Sequence, residues 1–278
     1  MIFLCLAILS STAISLLMRV SSGRVKARLS MLGMNYLVCT LLAAVYAGLQ
    51  LFPSPVEGLG RTVSLGVVNG FLFLGGFVLC QWNTRNNGMV LTSVFMKLGL
   101  LVPMVLSVLV FRESPTWMQI VGFVLALAAI LLLNLKKQTV AGQKRWTLLV
   151  MLLMCGGADA MSKVFEVLGP AVLSEQFLFY TFAMALVLCG GLVICQKERP
   201  GLRELLFGIA IGVPNFFASK FLLLSLKNLP AVVVFPSFSI GTMLLATLAG
   251  VVFYKERLNK LQWAALTTIV AALLLLNI

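Results

Sequence analysis

Residues 88–134, GMVLTSVFMKLGLLVPMVLSVLVFRESPTWMQIVGFVLALAAILLLN, return without a gap at residues 231–277. A shift of 143 superposes Phe95 on Phe238, Phe111-Arg112-Glu113 on Tyr254-Lys255-Glu256, Gln119 on Gln262, and Leu131-Leu132-Leu133-Asn134 on Leu274-Leu275-Leu276-Asn277. Both copies read as a long apolar segment, a charged turn and a second long apolar segment. An internal repeat of this kind sets the architecture of the whole chain. The protein is built of two halves.

Working outward, composition identifies the solvent. With 61% apolar residues, 10% charged residues and a mean hydropathy of +1.07, the chain lies far from the usage of soluble domains. A membrane span needs about 20 mainly apolar residues. Ten such segments are present, at 2–20, 31–52, 62–82, 88–111, 116–135, 146–165, 174–195, 203–226, 230–253 and 260–278. The sequence therefore predicts an all-α integral membrane protein, with an N-terminal five-helix repeat over 1–135, a basic linker over 136–145 and a C-terminal five-helix repeat over 146–278. No stretch remains for a soluble domain, so the net charge of +13 is not read as a nucleic-acid footprint. The partners expected are the lipid bilayer and a small-molecule substrate. The opening run, MIFLCLAILSSTAISLLMR, lacks the basic region that precedes a secretory signal core and reads as the first span.

In a membrane protein, loop charge reports orientation. Fifteen of the 21 Lys and Arg fall in alternate loops, with Arg24, Lys26 and Arg28 after the first span and Lys136, Lys137 and Lys144 in the linker. Arg61, Arg112, Lys163 and Lys227 are the four on the other side. This bias places both termini outside the cytoplasm. Five spans per half also require equivalent loops to lie on opposite faces, as in inverted-repeat transporters. The charges obey that rule: Arg112-Glu113 is neutral, whereas its repeat Lys255-Glu256-Arg257 is positive.

Fainter repeats extend the match. Gly66-x-x-x-Gly70 in span 3 corresponds to Gly208-x-x-x-Gly212 in span 8 at a shift of 142, and at 144 Tyr36 meets Tyr180 and Arg19 meets Lys163. Small residues four apart let helix backbones approach closely in lipid. Two inverted five-span halves, each closing with a span, a basic-acidic turn (FRES, YKER) and a final apolar span, resemble the drug/metabolite transporter superfamily in its EamA-like branch. The resemblance implies that spans 1, 3, 4, 6, 8 and 9 line a central cavity. It also implies that spans 5 and 10 are peripheral helices available for a homodimer.

Deep ionisable groups are functional candidates by default. Lys97 lies nine residues into span 4, close to the middle of a hydrocarbon core about 30 Å thick. Lys220 is about six residues from the outer end of span 8, and Asp159 lies in the second half of span 6. Each has a bland reading beside the functional one. Asp159 and Lys163, four apart with the acid first, suit a same-face helical pair. Lys220 can reach toward headgroups or rest on Phe216 as a cation–π pair. Asn69 and Asn215 can bind solute or bond between helices. Phe238, with Phe71, Phe73, Phe77, Phe216, Phe217 and Phe235, can wall a cavity or pack. Pro103, Pro214 and Pro236 are the sort of helix interruption that points to a transporter's site.

The six cysteines all fall within spans, with no C-x-x-C and no histidine in the chain. No metal or other cofactor is expected. A membrane-embedded enzyme is a remote alternative, because eight carboxylates and no histidine leave Asp159 as the only deep acid. The expectation is a secondary transporter of a small organic metabolite, anionic or zwitterionic, in the bacterial inner membrane, working by alternating access. The alternative is a flippase for a phosphorylated lipid carrier. Both draw on two deep lysines set against one deep acid.

Overall fold

The computed structural model describes residues 1–53, 57–134, 145–254 and 260–276. The linker over 136–144, the Lys255-Glu256-Arg257 turn and Asn277 lie outside the described residues. All regular structure among the described residues is helical, in the order α1 (Ile2–Ser22), α2 (Arg28–Tyr46), α3 (Leu59–Asn86), α4 (Met89–Leu98), α5 (Leu101–Leu109), α6 (Trp117–Asn134), α7 (Arg145–Leu168), α8 (Ser174–Cys195), α9 (Leu202–Leu226), α10 (Ala231–Tyr254) and α11 (Lys260–Leu276), with one 3₁₀ turn at Ala171–Leu173. Among the described residues, eight segments are long and apolar enough to cross a membrane, counting Thr92–Leu109 as one, and Trp117–Leu131 and Trp263–Leu276 are shorter apolar helices. Ten spans are the result.

Two boundaries differ from the sequence reading, for local reasons. The second span was expected to run to residue 52, but α2 stops at Tyr46. Gly48 and Leu49 adopt φ of 63° and 59°, and the Leu49 N–H donates to the Ala44 carbonyl at 3.0 Å. Left-handed residues closed by such a bond terminate a helix. The fourth span tightens between α4 and α5, where Gly99 and Leu100 keep helical φ/ψ but donate three residues back, to the Met96 and Lys97 carbonyls. Pro103 sits third in α5, in the first turn, where a missing N–H costs no intrahelical bond. Pro214 and Pro236, by contrast, lie inside the continuous helices α9 and α10.

The chain divides into two compact units, Met1–Leu74 with Val164–Lys227 and Gly75–Lys163 with Asn228–Ile278. Each unit draws on both sequence repeats. Within the first, α2 packs against α8 and α9, and α1 against α9. The glycine pairs make these contacts close. A Cβ on Gly66 would meet Tyr180 Cβ of α8 at 2.6 Å, and one on Gly208 would meet Met34 Cβ of α2 at 2.6 Å. Side chains at these positions would push the helices apart.

Within the second unit, α6 packs along α11. Ala126, Ala129, Ile130, Leu266, Ile269, Ala272 and Leu276 form its buried core, and a Cβ on Gly122 would lie 3.0 Å from Leu276. The apolar runs of spans 5 and 10 thus carry small residues on one face, which the sequence reading did not credit to them. Their outer faces expose Val124, Leu131, Val270 and Leu274.

Candidate functional site

In the second unit, the charged residues of the spans meet where α4 ends. Lys97 occupies the last turn of α4, two residues before Gly99. At this junction α7 comes close: a Cβ on Gly156 would overlap the Gly99 carbonyl and meet Val102 side-chain atoms at 2.7 and 2.8 Å. Asp159 follows Gly156 by three residues, about one turn along α7. Lys97 and Asp159 lie within electrostatic range of each other, and both residues are half-buried. Gly156 thus sets the approach, and the approach brings a cation to an anion deep in a span. Each charge offsets part of the cost of burying the other, with burial the larger effect on both. A ligand with one charge of each sign can exchange with such a pair.

The sequence reading offered Lys163 as the partner of Asp159. The structure sets Asp159 within electrostatic range of Lys97, and the Lys163 ammonium lies 2.9 Å from Glu113 Oε1. The same carboxylate accepts from the N–H groups of Ala231, at 3.2 Å, and Val232, at 3.3 Å, which open α10. Glu113 was read only as one charge of the FRES turn. The first turn of a helix leaves N–H groups without internal partners, and an anion there also meets the positive end of the helix dipole.

The first unit holds a second charged group. Lys220 Nζ lies 2.8 Å from Glu175 Oε1 and 3.5 Å from the centroid of the Tyr46 ring, with the Phe216 ring at 5.9 Å. The cation–π contact expected with Phe216 is present, with Tyr46 closer. Tyr46 ends α2, Glu175 sits in the first turn of α8, and Lys220 is six residues from the end of α9 at Leu226. The three helices bring residues from one end of the unit together. The reckoning of two deep lysines against one acid is corrected here, since Lys97 and Lys220 each face a carboxylate within their own unit.

Asn69 and Asn215 make contacts between helices. Asn69, 1% exposed, donates to the Thr181 hydroxyl at 3.4 Å. Asn215 donates to Asn35 Oδ1 at 3.2 Å, making the buried Asn35 a partner that sequence reasoning did not single out. Phe238 is half-buried in α10, and its carbonyl accepts from the Thr242 hydroxyl at 2.7 Å. Phe216 and Phe235 are buried, whereas Phe71 is exposed. A buried polar cluster joins Asn83, Asn87 and Thr147, the Thr147 hydroxyl donating to Asn83 Oδ1 at 2.7 Å. Among the described residues no group of three or more His, Cys, Asp or Glu is placed to hold a metal ion, and the cysteines are free thiols.

Comparison with known proteins places this architecture. The profile of the EamA-like transporter family matches residues 1–135 and again residues 145–278, the two halves marked by the internal repeat. An uncharacterized protein of Haemophilus influenzae is 25% identical over 271 residues, covering 94% of this chain and 92% of that protein. A solved structure described as "Crystal structure of protein" superposes with a TM-score of 0.75 at 16% identity, covering 99% of this chain and 94% of the other. At that identity the likeness is one of fold.

Proposed function

Because this chain belongs to the EamA-like transporter family and is an integral membrane protein of the transporter class, we propose that it is a secondary transporter of a small zwitterionic metabolite in the bacterial inner membrane. One observation carries the reading: the close approach of α7 to α4 at Gly156 sets Asp159 within electrostatic range of Lys97 deep in the spans. A solute bearing a carboxylate and an ammonium exchanges with both members, so neither is left uncompensated in low dielectric during a cycle. A purely anionic solute would satisfy Lys97 and leave Asp159 without its cation. The chain has no nucleotide-binding motif, and solute gradients are the driving force proposed, with alternating access as the mechanism. The phosphorylated lipid carrier is supported less, since the cations it would use each already face a carboxylate.

The experiment is solute flux in proteoliposomes across a panel of zwitterionic, anionic and neutral metabolites. A zwitterion should be moved by the native protein, and Lys97→Met and Asp159→Asn should each reduce its flux at least roughly tenfold, the order of one lost charged contact. Native flux of anions alone, or variants that transport zwitterions at the native rate, would overturn the reading.

A further inference from the structure

We infer that Glu175, Tyr46 and Phe216 form a recognition site for an organic ammonium group, which the ammonium of Lys220 occupies in this structure. This deepens the carrier reading by naming a second contact for the cationic end of a solute, and it rests on that reading for its part in transport.

The argument starts from what a small organic cation requires. It needs a carboxylate for its charge and aromatic faces for the apolar groups around it. Both are assembled here from three helices. Glu175 Oε1 holds Lys220 Nζ at 2.8 Å, and the face of Tyr46 covers the same nitrogen at 3.5 Å. Phe216 backs Tyr46 with ring centroids 5.4 Å apart, and Phe217 stands edge-on to Tyr46 at 6.0 Å. Phe216 is fully buried, so its position is fixed by packing, whereas Tyr46 is 48% exposed. One ring is anchored, and the ring over the ammonium can be reached from outside the unit.

The carboxylate also has unused capacity. Glu175 Oε2 is buried and accepts no hydrogen bond. A pair built only to fasten α8 to α9 would gain by satisfying that oxygen, because an unmade bond at a buried acceptor is costly. An ammonium that takes the place of Lys220 Nζ can reach the carboxylate beneath Tyr46. Two ammonium charges on one carboxylate repel each other, so the newcomer and Lys220 compete. Lys220 sits on a flexible four-carbon stem, which lets it swing away while remaining tethered. It acts as an internal occupant that keeps the acid compensated when solute is absent.

The test uses benzylammonium as the probe, with benzyl alcohol and benzoate as neutral and anionic controls, and calorimetric binding to the full-length protein in detergent. Native protein should bind the cation and neither control. Lys220→Met should bind it about tenfold more tightly, because the internal competitor is gone. Glu175→Gln alone can fail to fold by stranding Lys220, so Glu175→Gln/Lys220→Met is the informative partner, and it should bind at least tenfold more weakly than Lys220→Met while unfolding at a similar temperature. A Lys220→Met protein that binds no more tightly than native, or a double variant that binds as well as Lys220→Met, overturns the site and leaves a structural ion pair. Failure of transport is read separately: a protein that binds the cation in detergent but moves no solute in vesicles keeps the site and loses the carrier reading.

Discussion

The Lys163 ammonium lies 2.9 Å from the Glu113 carboxylate, and that carboxylate also receives the first two N–H groups of α10. One acid therefore ties α7 and the start of α10 to the turn between α5 and α6. Glu113→Gln removes the charge from both partners, so its loss of stability should exceed that of Lys163→Met, which leaves the helix cap in place. The expected cost of Glu113→Gln is about 2 to 3 kcal/mol, the order of hydrogen bonds to a charged group. Thermal unfolding of the two single variants and the double variant in one detergent checks this, with the double less damaged than the two singles combined. Additive losses would mean that the two residues act independently.

Gly156 makes a sharper structural prediction. A methyl group there would collide with the Gly99 carbonyl and with Val102, pushing α7 away from the α4–α5 junction and Asp159 away from Lys97. Gly156→Ala should lower solute flux roughly tenfold or more, on the scale by which a small misplacement affects a positioned site. Gly190 in α8 has open space around an added Cβ. Gly190→Ala should be neutral or slightly stabilising, since alanine is the better helix former by up to about 1 kcal/mol. Equal effects at the two positions would contradict the packing at the junction.

What the sequence could disclose follows from how far each signal reaches along the chain. The repeat at 88–134 and 231–277, the ten spans and the Gly66/Gly70 and Gly208/Gly212 contacts depend on periodicity and residue size, and all are legible in one dimension. The charged residues within the spans were legible too, because burying a charge in lipid marks it wherever it stands. Their partners were not. Lys97 and Asp159 are 62 positions apart, Lys220 and Glu175 are 45 apart, and Lys163 and Glu113 are 50 apart. A helical i, i+4 rule finds only neighbours such as Asp159 and Lys163, so it proposed the local pair over the tertiary one. Glu113 and Glu175 were hidden for another reason: both lie at span ends, where a carboxylate reads as a solvated loop charge.

The orientation argued from loop charge predicts accessibility. In a cysteine-free background, Glu57→Cys, in the turn before α3, should react with an impermeant maleimide added to intact cells. Gly142→Cys, in the basic linker, should react only after permeabilisation. Both assignments follow from the excess of Lys and Arg in the linker and in the α1–α2 turn. The reverse pattern of labelling would place both termini in the cytoplasm and invert every assignment of outer and inner ends.

Exchanging the charges of Lys97 and Asp159 tests whether their pairing or their individual positions matter most. Lys97→Met leaves Asp159 without the cation that offsets its burial, and Asp159→Asn leaves Lys97 in the same state. Each single variant should therefore lose stability as well as flux, by an amount that solute can only partly restore. The double replacement Lys97→Asp/Asp159→Lys restores a cation facing an anion at the same junction. If the pair is chiefly structural, the exchange recovers thermal stability and flux together. If the two residues read the ends of a zwitterion, stability recovers while flux stays low, because a carboxylate now stands where the solute presents its own. The proposed function expects that second outcome, with recovery of at least half the lost unfolding temperature and flux still reduced about tenfold. Recovery of both would assign Lys97 and Asp159 to holding α4 against α7 and would move the search for solute contacts elsewhere in the spans.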